Sequence, residues 1–304
     1  MRVVFAGTPQ IALASLEAIA ACHDVAAVVT RPAAARGRSR RPVPSPVADW
    51  GLRNGVEVLT PDHPRDPGLR ERLAQLAPEC CPVVAYGALL PPRVLTIAEY
   101  GWVNLHFSLL PRYRGAAPVQ RALLAGENTT GATTFQIVPE LDAGPVYQTL
   151  TEPIGPHDTA GQLLERLAQR GAELLVQTLD AVAAGQRPVP QAAGPVSYAP
   201  KLDPGQVQIN WSQTAVEIDR LVRAANPDPG AWTRYGGERF KVLLAEPVEQ
   251  DLGPGRIRAG RREVLVGAGS GAVRLLQVQP LGKRPMTGPD WARGARLVGD
   301  EVFT

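Results

Sequence analysis

Arg2-Val3-Val4-Phe5-Ala6 opens the chain as a short β-branched run, Ile11–Ala21 follows with the length and spacing of a helix, and Val25–Thr30 returns to β-branched residues. A strand, a helix and a second strand in that order imply a βαβ unit with parallel strands. The alternation continues: Val56–Thr60, Pro82–Tyr86 and Trp102–His106 read as strands, with helices at Pro46–Asn54, Leu69–Leu76 and Ala117–Ala125. The predicted fold class is α/β, with a doubly wound, mostly parallel sheet. Such sheets bind ligands beyond the carboxyl ends of their strands, so chemistry is expected in the turns after Ala6, Thr30, Tyr86 and Leu105. The first turn, Ala6-Gly7-Thr8-Pro9, lacks the G-x-G-x-x-G that brings backbone amides against a dinucleotide pyrophosphate. That argues against a nicotinamide or flavin enzyme.

Farther on, Ala132–Val138 and Val146–Leu150 read as strands and Thr159–Ala184 as a long helix. Gly185–Pro204, rich in Pro, Gly and Ala, has the composition of a linker. Beyond it come the apolar run Val207–Trp211, a helix near Ala215–Ala224, and short strands at Ala231–Tyr235, Arg239–Ala245, Gly255–Arg258, Glu263–Val266 and Val273–Gln279. Their regular spacing predicts a small OB-like β-barrel. The expected division is a first domain over 1–187, a linker over 188–206 and a barrel domain over 207–304. A chain of 304 residues is long enough for two such cores without disulfides.

Composition narrows the class further. The three cysteines, Cys22, Cys80 and Cys81, lack the number of a disulfide framework and the spacing of a zinc site, so they are expected as small buried hydrophobes. The N-terminal apolar run meets Thr8-Pro9 before reaching signal or membrane-span length, which predicts a cytoplasmic protein with no membrane partner. It is expected to be a monomer and to need no metal. Net charge is only +3, and residues 1–204 balance 18 basic against 18 acidic side chains, so the excess falls in the last hundred residues. Between 251 and 284, Arg256, Arg258, Arg261, Arg262, Arg274, Lys283 and Arg284 outnumber Asp251 and Glu263. A barrel so charged suits a phosphate backbone, and a solvated face explains it nearly as well.

The segment richest in chemistry is Asn104-Leu105-His106-Phe107-Ser108-Leu109-Leu110-Pro111-Arg112-Tyr113-Arg114-Gly115-Ala116-Ala117-Pro118, followed by Glu140-Leu141-Asp142-Ala143-Gly144. On a strand, Asn104 and His106 project from one face, where an amide donor and an imidazole can address one small ligand group. An isolated N-x-H is more often a loop cap beside a satisfied histidine. The extended pattern reverses that weighting, because it resembles the formyltransferase signature N-x-H-x-S-L-L-P-x-x-R-G-x-x-P with an aspartate in a later L-D-x-G turn.

The resemblance extends along nearly the whole chain. Gly7-Thr8-Pro9, Pro44-Ser45-Pro46-Val47, Val83-Val84-Ala85-Tyr86-Gly87 and Ser197-Tyr198-Ala199-Pro200-Lys201-Leu202 are similar to the methionyl-tRNA formyltransferase family. What the resemblance implies is a formyltransferase-type, Rossmann-like first domain that takes 10-formyltetrahydrofolate as donor and initiator Met-tRNA as acceptor in translation initiation. It gives Asn104, His106 and Asp142 the catalytic role. It also implies folate contacts at Val83, Ala85, Tyr86, Gly87, Ser108, Leu109, Leu110 and Pro111, although packing explains Leu109 and Leu110 equally well. Arg114 and Gly115 are open to a structural role or a contact with the tRNA end.

Arg31-Pro32-Ala33-Ala34-Ala35-Arg36-Gly37-Arg38-Ser39-Arg40-Arg41-Pro42-Val43-Pro44 carries five arginines and no acid on the expected ligand face. A charge run is ordinarily a solvated surface. This one resembles the family's basic insertion that grips the acceptor end of the tRNA, and Arg36, Arg38, Arg40 and Arg41 are the implied contacts. Ala33 and Ala34 stand where the family commonly has an Asp-Arg pair, and Ser39 replaces a glycine. Two other readings use the same scaffold. One is a folate-dependent formyltransferase acting on a sugar-nucleotide amine, which would not need the arginine loop. The other is an RNA-binding protein without catalysis, against which the intact Asn104, His106 and Asp142 argue.

Overall fold

Val3, Val4, Phe5 and Ala6 are all fully buried, which requires that the strand carrying them be covered on both faces. The structure, a computed structural model, describes residues 1–35, 42–297, 299 and 301–304. Its elements run β1 (Arg2–Gly7), α1 (Leu13–Cys22), β2 (Asp24–Val29), β3 (Ala34–Ala35), β4 (Pro42–Val43), α2 (Pro46–Asn54), β5 (Glu57–Leu59), α3 (Pro67–Leu76), β6 (Cys81–Val84), α4 (Pro92–Leu95) and β7 (Trp102–His106). There follow α5 (Pro118–Ala125), β8 (Thr129–Gln136), β9 (Val146–Pro153), α6 (Ala160–Ala183), α7 (Ala215–Ala225), β10 (Trp232–Tyr235), β11 (Glu238–Val248), β12 (Ile257–Ala259), β13 (Val264–Gly267), β14 (Ala272–Pro280), β15 (Met286–Thr287) and α8 (Gly288–Ala295).

The chain forms two compact units. One comprises Met1–Pro118, Thr129–Pro153 and Leu164–Ala199, the other Val119–Asn128, Ile154–Leu163 and Pro200–Thr304. In the first, the sheet order is β5-β2-β1-β6-β7-β8-β9. The strands from β5 to β7 are parallel, while β8 and β9 run antiparallel to their neighbours. Strand order reverses between β1 and β6, which makes the carboxyl ends of β1, β6 and β7 the expected ligand edge. On one face, alternate residues Val4 and Ala6 of β1, Ala27 and Val29 of β2, and Cys81 and Val83 of β6 pack with Leu69, Leu73 and Leu76 of α3.

Helix ends follow local chemistry. Ser45 caps α2 by accepting from the Ala48 N–H at 3.0 Å, Pro46 opens its first turn, and Gly55 ends it in the left-handed region at φ 67. The basic segment leaves and re-enters through the β3–β4 ladder, where Ala34 pairs with Val43 and Ala35 with Pro42. Arg36, Arg38, Arg40 and Arg41, the arginines assigned to RNA from the sequence, lie outside the described residues.

The second unit is an antiparallel half-barrel of OB-like type with strand order β10-β11-β14-β13-β12, β15 adding to β14. Ile218, Leu221, Val222 and Ala225 of α7 join Phe240, Val242, Val264, Val266, Val273, Leu275 and Val278 in its core, and Leu124 packs against them. A capping box at Thr214 and Glu217 starts α7.

The cysteines divide against expectation. Cys80 and Cys81 are buried, but Cys22 is exposed. It is the last residue of α1, beyond the buried Ser15, Leu16 and Ile19, so no neighbouring element covers it. Helix α8 had no counterpart in the sequence reading, because Thr287-Gly288-Pro289 resembles a turn; here Thr287 caps the helix by accepting from the Asp290 N–H. Among the described residues, no helix is long and apolar enough to cross a membrane, and no group of three His, Cys, Asp or Glu side chains could hold a metal ion.

Candidate active site

Strand β7 carries Asn104 and His106 to the ligand edge. In register, Asn104 lies beside Val83 of β6 and Phe135 of β8, and His106 beside Thr133. Asn104 is half-buried, and its amide makes no hydrogen bond to another described residue. His106 is 6% exposed, edge-on to the Phe135 ring at a centroid distance of 6.4 Å. Its Nε2 lies 2.8 Å from the Tyr113 carbonyl oxygen. A carbonyl can only accept, so Nε2 carries the proton and, in the neutral ring, Nδ1 keeps its lone pair. Nδ1 lies 3.7 Å from Asp142 Oδ2. Burial pushes the imidazole below its ordinary pKa, opposed by the Asp142 carboxylate and the Tyr113 carbonyl, which both favour the proton. The ring is therefore held neutral beside a carboxylate that would stabilise its charged form.

Asp142 reaches this place through an unusual turn. Its φ is +47, a region that few non-glycine residues adopt, and the neighbouring Gly144 passes so close to β8 that a Cβ there would sit 1.7 Å from the Gln136 carbonyl oxygen. The Asp142 side chain accepts from the Gly115 N–H at 2.7 Å. Gln191 holds the turn from behind, its Nε2 donating to the Asp142 carbonyl at 2.7 Å and to the Gly144 carbonyl at 3.0 Å. The same Gln191 accepts at Oε1 from the Arg114 guanidinium at 2.8 Å.

The loop leaving β7 is fixed from both ends. Ser108 donates to the Arg112 carbonyl at 2.7 Å, and Thr133 donates to the Ser108 carbonyl at 2.7 Å while accepting from the Leu110 N–H. Farther along, the Tyr113 N–H donates to Ser197 Oγ, and Arg114 pairs with Tyr198 as a parallel bridge between the Arg114 N–H, the Ser197 carbonyl and the Ala199 N–H. Gly115, at φ 118, passes where a Cβ would lie 3.0 Å from the Ala199 carbonyl oxygen. Arg114 is buried and paired with Glu140 and Gln191. Both contacts suit the structural one of its two open readings.

Gln191, Thr133 and Ser197 escaped the sequence reading. Gln191 and Ser197 lie in a Pro-, Gly- and Ala-rich stretch whose composition resembles a linker, and only the similarity of Ser197-Tyr198-Ala199 to the family hinted at a fixed position. Residues 191–199 instead strap the loop that supplies His106 and Asp142 with their partners.

The eight positions assigned to folate are not alike. Ala85 and Gly87 are exposed at positive φ, at +48 and +81, and Leu109 is half-buried. Val83, Tyr86, Ser108, Leu110 and Pro111 are buried, so they can offer a ligand little beyond backbone groups.

In the half-barrel, Arg274 is held between Glu246 and Glu263, which removes it from the free charges of the 251–284 region. Arg261, Arg262, Lys283 and Arg284 are exposed. Arg239 lies over the Trp232 ring at 4.6 Å.

Comparison with known proteins agrees with this architecture. The formyl transferase family model matches residues 1–179, and the formyl transferase C-terminal domain model matches residues 201–296. The methionyl-tRNA formyltransferase of Thermobifida fusca is 57% identical over 307 residues, covering 100% of this chain and 99% of the relative. That of Streptomyces coelicolor is 54% identical over 306 residues, covering 99% of each. Among solved structures, the sugar 3N-formyl transferase WlaRD shares the fold with a TM-score of 0.68 at 18% identity, covering 93% of this chain and 99% of its own. HypX from Aquifex aeolicus in complex with tetrahydrofolic acid has a TM-score of 0.65 at 20% identity, covering 97% of this chain and 46% of its own. Both halves match the family, and the relatives are more than half identical from end to end: the chain belongs to the methionyl-tRNA formyltransferase family.

Proposed function

We propose that this protein transfers the formyl group of 10-formyltetrahydrofolate to the amino group of methionine on initiator tRNA, using Asn104, His106 and Asp142. The observation that carries the reading is the pairing of a neutral, buried His106 with Asp142 two residues along β7 from an unpartnered Asn104 amide. The donor supplies a formyl carbon activated towards amines. Asn104 donates its amide to the carbonyl oxygen of that formyl group as negative charge develops there; a preorganised donor of this kind contributes roughly 100- to 1,000-fold in rate. His106 accepts the proton that the attacking amine must lose, at Nδ1, since Nε2 is committed to the Tyr113 carbonyl, and that proton passes to the folate N10 as the tetrahedral adduct collapses, the formyl carbon–N10 bond breaks and tetrahydrofolate leaves. Asp142 stabilises the resulting imidazolium, and Gly115 and Gln191 hold the carboxylate in position.

Backbone groups around Ala85 and Gly87, with the loop from Ser108 to Pro111, are the proposed folate contacts. Arg36, Arg38, Arg40 and Arg41 are the proposed contacts to the acceptor end of the tRNA, and the exposed basic residues of the half-barrel are proposed phosphate contacts in their own right. The supporting fact for the acceptor is identity above half with relatives named for Met-tRNA. The assignment is tested by incubating the protein with 10-formyltetrahydrofolate and, separately, charged initiator tRNA, charged elongator methionine tRNA and a sugar-nucleotide amine. N-formylmethionine should form on initiator tRNA in strong preference to the others. Preferential formylation of the sugar amine would move the protein to another acceptor class.

A further inference from the structure

Two sequence motifs take no part in the chemistry above, Gly7-Thr8-Pro9 and Pro44-Ser45-Pro46, and a third, Ala85-Tyr86-Gly87, enters it only as the proposed donor turn. They follow β1, precede α2 and follow β6, so they are remote in sequence yet meet at the ligand edge. Three hydrogen bonds join them, and a fourth ties the series to the first turn of α2. The Thr8 hydroxyl donates to the Tyr86 carbonyl at 2.9 Å, and the Thr30 hydroxyl donates to Thr8 Oγ1 at 3.4 Å. Thr30 Oγ1 and Ser45 Oγ lie 2.7 Å apart, and Ser45 Oγ accepts from the Ala48 N–H at 3.0 Å.

Each hydroxyl has one proton to give, which fixes the direction of the chain. Thr8 gives its proton to Tyr86 and Thr30 gives its own to Thr8, so Ser45 is the donor to Thr30. The result is a one-way series from Ser45 through Thr30 and Thr8 to the Tyr86 carbonyl. Thr30 is fully buried and Ser45 nearly so, and bonds in such a chain reinforce one another in a low dielectric. A buried hydroxyl that loses its partner bears the full cost of its desolvation, so the chain resists being broken at its centre.

The two ends of the arginine segment are both tied into it. The Arg31 N–H donates to Thr8 Oγ1 at 3.4 Å where the segment leaves β2, and Ser45 stands where the segment enters α2. Burial pushes the Tyr86 phenol above its ordinary pKa, and the nearby Arg31 charge partly opposes that rise. The opposite end of the chain grips the turn Ala85–Gly87 on the donor side. We propose that Thr30, with Thr8 and Ser45, is a positioning residue that sets the roots of the arginine loop against the donor turn, so that RNA held by the loop delivers its amine in register with the formyl group. The proposal rests on the reading of that loop as an acceptor contact.

The test uses the full-length protein with Thr30→Val, which keeps the shape and removes the hydroxyl, and Thr30→Ser, which keeps the hydroxyl. Thr30→Val should lower kcat/KM for initiator Met-tRNA by about 10-fold while the KM for 10-formyltetrahydrofolate changes less than about twofold, and Thr30→Ser should recover most of the loss. Thr8→Val cuts the same chain at a half-buried position, and it should give the same signature should Thr30→Val fail to fold. Arg38→Ala should cost less in the Thr30→Val background than in the wild type, because a misplaced loop has less to lose. If Arg38→Ala is costly alone but its loss simply multiplies with that of Thr30→Val, or if Thr30→Val and Thr8→Val act as wild type, the positioning role is overturned and the acceptor reading stands. Equal losses for folate and tRNA kinetics would likewise reduce the chain to structural support. If Arg38→Ala costs nothing, the acceptor reading of the loop falls and this proposal falls with it.

Discussion

His106 is held in a state that favours one direction of proton flow. Its Nε2–H is committed to the Tyr113 carbonyl, burial keeps the ring neutral, and the lone pair on Nδ1 faces the side where Asp142 waits. The sign of the pH dependence follows. A histidine whose pKa is lowered in the folded state stays neutral to a lower pH than in the unfolded chain, where the value is about 6.5, so the form able to accept a proton persists farther to the acid side. The same shift makes its contribution to stability complete above that unfolded value and lost as pH falls through the lower folded one. The acid limb of the single-turnover pH profile is therefore expected below the ordinary histidine range. Asp142→Asn removes a charge that favours the imidazolium, so it should slow transfer and move the acid limb farther down. A limb that rose towards neutral pH in that variant would contradict the assignment of His106 as proton acceptor. At this scale the sequence was informative for Asn104 and His106, because spacing of two on a strand is a local property. It was silent on Gln191 and on the Gly115 N–H, whose roles depend on chain segments meeting in space.

Among elements, buried strands were the easiest to read. Val3-Val4-Phe5-Ala6 and Val28-Val29 lack polar interruption because both faces of β1 and β2 are covered. The direction of β8 and β9 was illegible, since alternation of side chains carries no sign of parallel or antiparallel pairing; the short connection from Gln136 to Val146 settles it as a hairpin. The segment from 188 to 206 has the composition of a linker, yet it makes contacts through backbone groups and through the side chains of Gln191, Ser197 and Gln206. Gln191 is the sharpest probe of that strap. It secures two carbonyls of the Asp142 turn, where φ is +47, and also the Arg114 guanidinium. Gln191→Ala should lower kcat about 10-fold or more by loosening the carboxylate, with little change in the KM for folate. Gln191→Glu, which loses the amide donor but keeps the shape, should not rescue it. Unchanged kcat in Gln191→Ala would show that the turn holds Asp142 without the strap.

For the whole molecule, charge is distributed more narrowly than the count of basic residues suggests. Arg274 is neutralised by two glutamates, while Arg261, Arg262, Lys283 and Arg284 are among the exposed cations of the half-barrel. Replacing these four with alanine should raise the KM for Met-tRNA and flatten its dependence on salt by about 0.7 to 0.9 in logarithmic slope for each phosphate that is no longer neutralised. The folate KM should stay near wild type, and an unchanged salt slope would return the half-barrel to a solvated surface. The central claim is that Asn104, His106 and Asp142 act together on formyl transfer to Met-tRNA. Its most direct test is the single-turnover rate of N-formylmethionyl-tRNA formation, with donor and initiator Met-tRNA both saturating, in the wild type and in Asn104→Ala, His106→Ala and Asp142→Ala. Each variant should be folded, should bind tRNA as the wild type does, and should lose at least about 100-fold in rate, with combined losses well short of multiplicative. A folded variant of any of the three with a near-normal single-turnover rate would contradict the claim for that residue.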